Sequence, residues 1–163
     1  MGRVILLGVA GLVAVPVIVL AAFTLAFRTK WPALHDRVRR FNRDVMNRRQ
    51  LRTAGQAGVD YSVVVHVGRR SGRTYRTPVG AVPADDGFVV GLPYGPGTDW
   101  VRNVVAAGGA TVEHDGRTVA VDRPEVTDSK AVSGLFGRAE RLMQRLYGVD
   151  DFLLLREADQ TVA

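Results

Sequence analysis

The chain has 163 residues, of which 47% are apolar, enough for one buried core with an appendage and too many for wholesale disorder. Lys and Arg number 22 against 16 Asp and Glu, a formal charge of +6. No cysteine is present, which excludes a disulfide framework, thiolate metal sites and a cysteine nucleophile.

The first element is apolar. From Val4 to Phe27 the sequence runs 24 residues without a charge, and as a helix it would reach about 36 Å, longer than a bilayer core of about 30 Å. The stretch predicts a transmembrane helix, with Pro16 at mid-span where a membrane helix tolerates it. A cleaved signal peptide is the rival; its apolar region is normally about 7–15 residues after a stronger basic start. Only Arg3 precedes the run, whereas Arg28, Lys30, Arg37, Arg39, Arg40, Arg43, Arg48, Arg49 and Arg52 follow it. By the positive-inside rule this asymmetry places residues 28–163 in the cytoplasm.

Residues 32–52 carry Leu34, Val38, Phe41, Val45 and Met46 at helical spacing with arginines between them. The pattern predicts a basic amphipathic helix, lying either on anionic headgroups or on the folded body with a solvated basic face. A charge surplus concentrated next to an apolar run, and absent from the body, favours a membrane surface over nucleic acid. The organisation expected is an anchor over 1–29, the basic helix and a linker over 30–58, and a folded domain over 59–163.

In the folded part, Tyr61–Val67 is β-branched and apolar and predicts a strand. Thr74–Val82 predicts a second and Gly87–Leu92 a third, with Asp86-Gly87 between them as a hairpin signal. Ala110–His114 and Arg117–Val121 form a hairpin pair around Asp115-Gly116, and Phe152–Leu155 reads as a closing strand. Trp100–Ala107 predicts a short helix ended by Gly108-Gly109, and Ser129–Tyr147 a longer one ended by Gly148. Six short strands with two inserted helices predict an α+β domain, a small antiparallel barrel flanked by helices.

The stretch from Gly68 to Pro78 joins a strand end, a Gly-flanked basic turn and the next strand. Glycines expose consecutive backbone N–H groups, and Arg69, Arg70, Arg73 and Arg76 add fork-shaped donors suited to phosphate or carboxylate. The turn reads as an anionic-ligand site, with a solvated charged hairpin as the alternative. His35, His66 and His114 match no metal spacing, and His66 in a strand reads as a paired core residue rather than a ligand. Asp85-Asp86 and Asp150-Asp151 read as turn formers. Ser71 has no suitably placed His, which argues against a serine hydrolase.

These residues also carry a resemblance. GRRSGRTYRTPVG, an Asp-Gly hairpin, the strand FVVGLPYG and the segment DWVRNVVAAGGATVEHDG, in that order, resemble the deazaflavin-dependent nitroreductase family, over roughly residues 59–157. The resemblance implies a split β-barrel that binds coenzyme F-420, a reduced 8-hydroxy-5-deazaflavin with a phosphate and an oligoglutamate tail. By similarity Arg69, Arg70, Ser71, Gly72 and Arg76 would hold the phosphodiester region. The backbone of Thr77, Pro78, Val79 and Gly80 would line the deazaflavin ring. Trp100 would wall the pocket, with a core plug as its alternative role, and Asn103 on the same helix face reads as fixing backbone. Tyr94 in the turn with Gly95-Pro96-Gly97 would form a rim of the acceptor side.

Family members that reduce nitroaromatics or quinones tend to have substrate-facing tyrosines in the C-terminal helical region. Here Ser133–Asp150 offers only Tyr147, beside Phe136, Leu142 and Met143. The combined expectation is a membrane-anchored, cytoplasm-facing oxidoreductase passing a hydride from reduced F-420 to a small lipophilic acceptor: a quinone, a nitro compound or an activated alkene. A non-catalytic cofactor-binding or membrane-surface adaptor and an FMN- or haem-binding barrel remain open alternatives. No catalytic side chain is assigned, since hydride transfer requires orientation rather than an acid or base, and the oligomeric state stays open.

Overall fold

The computed structural model describes residues 47–158. The predicted anchor and the predicted basic helix up to Met46 lie outside the described residues. Seven strands, β1 (Ser62–Val67), β2 (Thr74–Val79), β3 (Ala81–Ala84), β4 (Gly87–Gly91), β5 (Gly109–His114), β6 (Arg117–Asp128) and β7 (Asp151–Glu157), form one sheet. The helices are α1 (Asn47–Gln50), α2 (Asp99–Ala107) and α3 (Arg138–Tyr147). Every strand pair is antiparallel, in the order β2-β1-β5-β6-β7-β4-β3. The two edge strands, β2 and β3, are separated in sequence only by Gly80. The sheet is therefore curled, one edge leading into the other through Gly80 without a hydrogen-bonded pairing between β2 and β3.

Turn chemistry fixes the hairpins. Asp115 (φ 46°) and Gly116 (φ 74°) are both left-handed between the paired His114 and Arg117, as a tight two-residue turn with the strand's own twist requires. The same turn fastens the segment before β1. Gly58 N–H donates to Asp115 Oδ1 (2.7 Å), and Gly116 N–H donates to Gly55 O (2.7 Å).

The strands alternate between two cores. Val64, Val90, Val112, Leu153 and Leu155 point into the curl, where Val101 and Val104 of α2 join them. Val89 and Phe152 point outward and pack with Val132 and Phe136 from the segment preceding α3. The apolar run Phe152–Leu155 thus reflects a strand buried on both faces rather than on one.

Three expectations are corrected. The strand over Thr74–Val82 divides at Gly80, because its first half pairs with β1 and its second with β4. The strand from Arg117 continues past Val121 to Asp128, through a bulge where the register slips between Asp122 and Glu125. Arg123 there is left-handed (φ 47°) and Pro124 has no N–H to place in a ladder. The long helix over Ser129–Tyr147 is broken into a 3-10 turn at Ser133–Leu135 and α3 from Arg138; Gly134 and Gly137 weaken continuity between them. By contrast α2 follows its signals, ending at Gly108 (φ 71°), whose N–H donates to Val105 O.

Leu153 is fully buried in the inner core. Leu153→Ala is expected to lower unfolding free energy by about 2–5 kcal/mol in a denaturant titration, with exposed Leu142→Ala within about 0.5 kcal/mol of wild type.

Candidate functional site

Register builds the site. His66 lies opposite Tyr75 and Val64 opposite Thr77, so these four share the inward face, and Arg76 and Pro78 take the other. Between Val67 and Thr74 the chain closes a tight loop. Gly68 N–H donates to Arg73 O, and Gly72 N–H donates to Gly68 O, each at 2.8 Å. Gly68 has no room for a side chain, since a Cβ there would lie 2.6 Å from the Tyr75 ring and closer still to the Ser71 hydroxyl. Ser71 Oγ and Tyr75 OH are hydrogen-bonded at 3.0 Å, and the Tyr75 ring stacks on His66 (centroids 5.8 Å, planes 20° apart).

Helix α2 clamps this loop through Asn103. The Asn103 side chain is buried. Its Oδ1 accepts from the Arg69 backbone N–H (3.1 Å) and from Arg69 Nη1 (2.9 Å). Two donors on Oδ1 leave Nδ2 facing His66 Nδ1 at 3.3 Å. Nδ2 can only donate, so Nδ1 must be the acceptor, and Nε2–H of a neutral imidazole donates to Thr77 Oγ1 at 3.1 Å. Burial holds the His66 pKa below its ordinary value, consistent with that neutral tautomer. The remaining Arg69 donors reach Asp99, Nη2 to Oδ1 at 3.0 Å. That hydrogen bond, with the charges of Arg69, Arg102 and Arg70, holds the exposed Asp99 carboxyl below the usual carboxylate range.

The predicted site residues divide accordingly. Arg69 is spent on the clamp, while Arg70, Ser71 and Gly72 stand exposed on the turn. Thr77 is half-buried beside His66, and Val79 is in the inner core. Arg76 lies on the outer face, paired with Glu113; Pro78 is buried and Gly80 exposed at the bend. Arg76 and Glu113 instead border an outer groove of about 370 Å³, shared with Gln56 and Arg117. Trp100 is half-buried against the inner core, which fits its alternative role as a plug. Tyr94 is half-buried in the loop before α2. The Tyr147 side chain lies outside the described residues. Among the described residues no group of three His, Cys, Asp or Glu could hold a metal.

Three groups carry more weight than the sequence assigned them. His66 completes the clamp, through a partner 37 residues away. Arg73 shares the turn with Arg70, and both guanidinium groups are exposed, without a hydrogen bond or ion pair among the described residues. Thr98, before the first turn of α2, is buried, and its hydroxyl has no partner among the described residues. Exposed guanidinium groups on a rigid Gly-bounded turn suit a phosphate or carboxylate, and an orphaned buried hydroxyl suits a polar ligand atom. The donor set therefore fits an anionic cofactor.

The model of the F420H(2)-dependent quinone reductase family matches residues 35–149. The chain belongs to this family. It is therefore an oxidoreductase whose cofactor is F-420. The match corroborates the resemblance carried by the Gly68–Pro78 turn and the Trp100 to Asn103 segment. No curated protein matches the chain. Among solved structures, the chain is similar to HutZ, a haem storage protein from Vibrio cholerae (13% identity, 61% of this chain and 82% of that chain, TM-score 0.45). It is also similar to an F420-H2 dependent reductase, FDR-A (13% identity, 60% and 94%, TM-score 0.39). A third is a protein from Clostridium acetobutylicum related to general stress protein 26 (12% identity, 71% and 82%, TM-score 0.45). Similarities this low say nothing of ligand or acceptor.

Asn103→Ala leaves the Arg69 N–H and His66 Nδ1 without their partner and is expected to cost about 1–3 kcal/mol of stability by denaturant titration. Unfolding should also depend on pH through His66. The unfolded imidazole takes up a proton near 6.5, whereas the folded one resists it. Stability is thus complete above that value and declines as pH falls from it toward the depressed folded pKa, by at most about 1.4 kcal/mol per pH unit. His66→Gln should flatten this dependence.

Proposed function

We propose that the chain is a membrane-anchored reductase, with residues 28–163 on the cytoplasmic side, which uses reduced F-420 to reduce a small lipophilic acceptor of quinone type. The observation that carries the cofactor geometry is the clamped basic turn, with two unengaged guanidinium groups on a loop held by Asn103. The uncharged run Val4–Phe27 and the basic excess after it support the anchor and its orientation.

In this reading Arg70 and Arg73, with the Ser71 hydroxyl and the backbone N–H groups of the turn, hold the anionic phosphodiester region. Arg69 acts through position: its bonds to Asn103 and Asp99 fix the loop on α2. The inward-facing backbone around Thr77 and Val79, continued to Pro78 and Gly80, lines the ring, and Trp100 closes the core beneath it. Reduced F-420, when bound, supplies the hydride. The chain's own residues orient the reacting carbon and exclude water, and His66, neutral and buried, keeps the floor of the site uncharged. Tyr94 and Tyr147 are the acceptor-side candidates that the sequence offers. Arg76, already serving Glu113, is the weakest of the phosphodiester candidates.

Arg70→Ala and Arg73→Ala are each expected to weaken F-420 binding about 10- to 100-fold, the loss of a charge-assisted contact of about 1.5–3 kcal/mol. Arg76→Ala should change it about threefold or less. Fluorescence titration of the cofactor checks this, and equal affinities for all three variants and wild type would refute the assignment. A reporter fused after Ala163 should be active only on the cytoplasmic side.

A further inference from the structure

Strand register gives the first inward position after the basic turn to Tyr75. The family resemblance places an arginine of the phosphodiester site at Arg76, but that side chain faces outward and pairs with Glu113. Tyr75 stands beside it on the inner face, opposite His66. Its ring stacks on the imidazole with centroids 5.8 Å apart, and the residue nevertheless stays 42% exposed. An aromatic ring held on a neighbour and still open to solvent is a preformed contact surface.

Exposure along the inner face of β2 falls with distance from the turn. Tyr75 is exposed, Thr77 is half-buried and Val79 is buried. The face is therefore open at the end that carries Arg70 and Arg73. Thr77 lies about 7 Å beyond Tyr75 along the strand, so the line from the turn to Thr77 on this face runs over the Tyr75 ring.

Hydrogen bonding leaves the phenol a donor. The Arg73 backbone N–H donates to Ser71 Oγ at 3.4 Å, and Ser71 Oγ lies 3.0 Å from Tyr75 OH. When Ser71 gives its one hydrogen to Tyr75, the phenolic hydrogen is left for a ligand oxygen.

We infer that Tyr75 is a cofactor-contacting residue, its ring covering the stretch of F-420 between phosphodiester and deazaflavin and its hydroxyl donating to a phosphodiester oxygen. The inference rests on the cofactor placement proposed above and adds a residue to it. A contact at that point fixes how far the deazaflavin stands from the turn, and with it the position of the reacting carbon.

The test uses the full-length chain with 3-fluorotyrosine at position 75. A second sample carries it at position 61, where Tyr61 is 46% exposed before the opposite end of β1. Irradiating the protons of bound F-420 should attenuate the fluorine resonance at 75 and leave that at 61 unchanged. Tyr75→Phe keeps a ring to stack on His66 and removes the hydroxyl, so affinity in a fluorescence titration should fall about three- to tenfold. An unattenuated resonance at 75, with binding weakened by Arg70→Ala, overturns the role of Tyr75 and leaves the turn standing. Wild-type affinity in Arg70→Ala overturns the placement itself, and Tyr75 with it. Attenuation at 75 with wild-type affinity in Tyr75→Phe overturns the hydroxyl contact.

Discussion

The carboxamide of Asn103 is the interaction on which the site depends. It is buried, and from helix α2 it satisfies groups of two other elements at once: the backbone and guanidinium of Arg69 on the turn and the imidazole of His66 on β1. A Gly-bounded, arginine-rich loop without such a tie would sample more conformations at little cost. Tying its first arginine to a helix gives the next two a fixed place, from which, in the proposed reading, they meet an anion with less ordering cost in the binding step.

The helix is itself held by the curl of the sheet. Val101 and Val104 enter the inner core beside Val64 and Val112, so Asn103 reaches β1 only because the sheet closes far enough to receive α2. That curl runs through the bend at Gly80, on either side of which β2 and β3 form the two edges of the sheet. The curled sheet, the helix on it and the loop it clamps form one mechanical chain, and the neutral His66 at their junction is stable only while the junction stays dry.

Much of this was legible locally. The Asp115-Gly116 hairpin, the Gly108 end of α2 and the basic turn all announce themselves through residues that favour particular backbone angles or charges, as did the role of Asn103 in fixing backbone. Partners distant in sequence were not legible. Nothing near Gly80 says that the strand changes neighbours there, and Arg123-Pro124 reads as a strand end although β6 passes through it. Arg76 and Arg70 look equivalent in the motif, yet strand alternation turns Arg76 toward Glu113 on the outer face. Thr98 carries no signal at all until its burial is known.

In the proposed reading Asn103 positions the turn that holds the cofactor without touching the cofactor. Its most direct test is the dissociation constant of F-420 for Asn103→Leu and for Leu153→Ala, two buried substitutions of comparable cost to stability, measured at a temperature where both variants are folded. Affinity should fall about tenfold or more for Asn103→Leu and stay at the wild-type value for Leu153→Ala. Equal affinities in the two variants would contradict it.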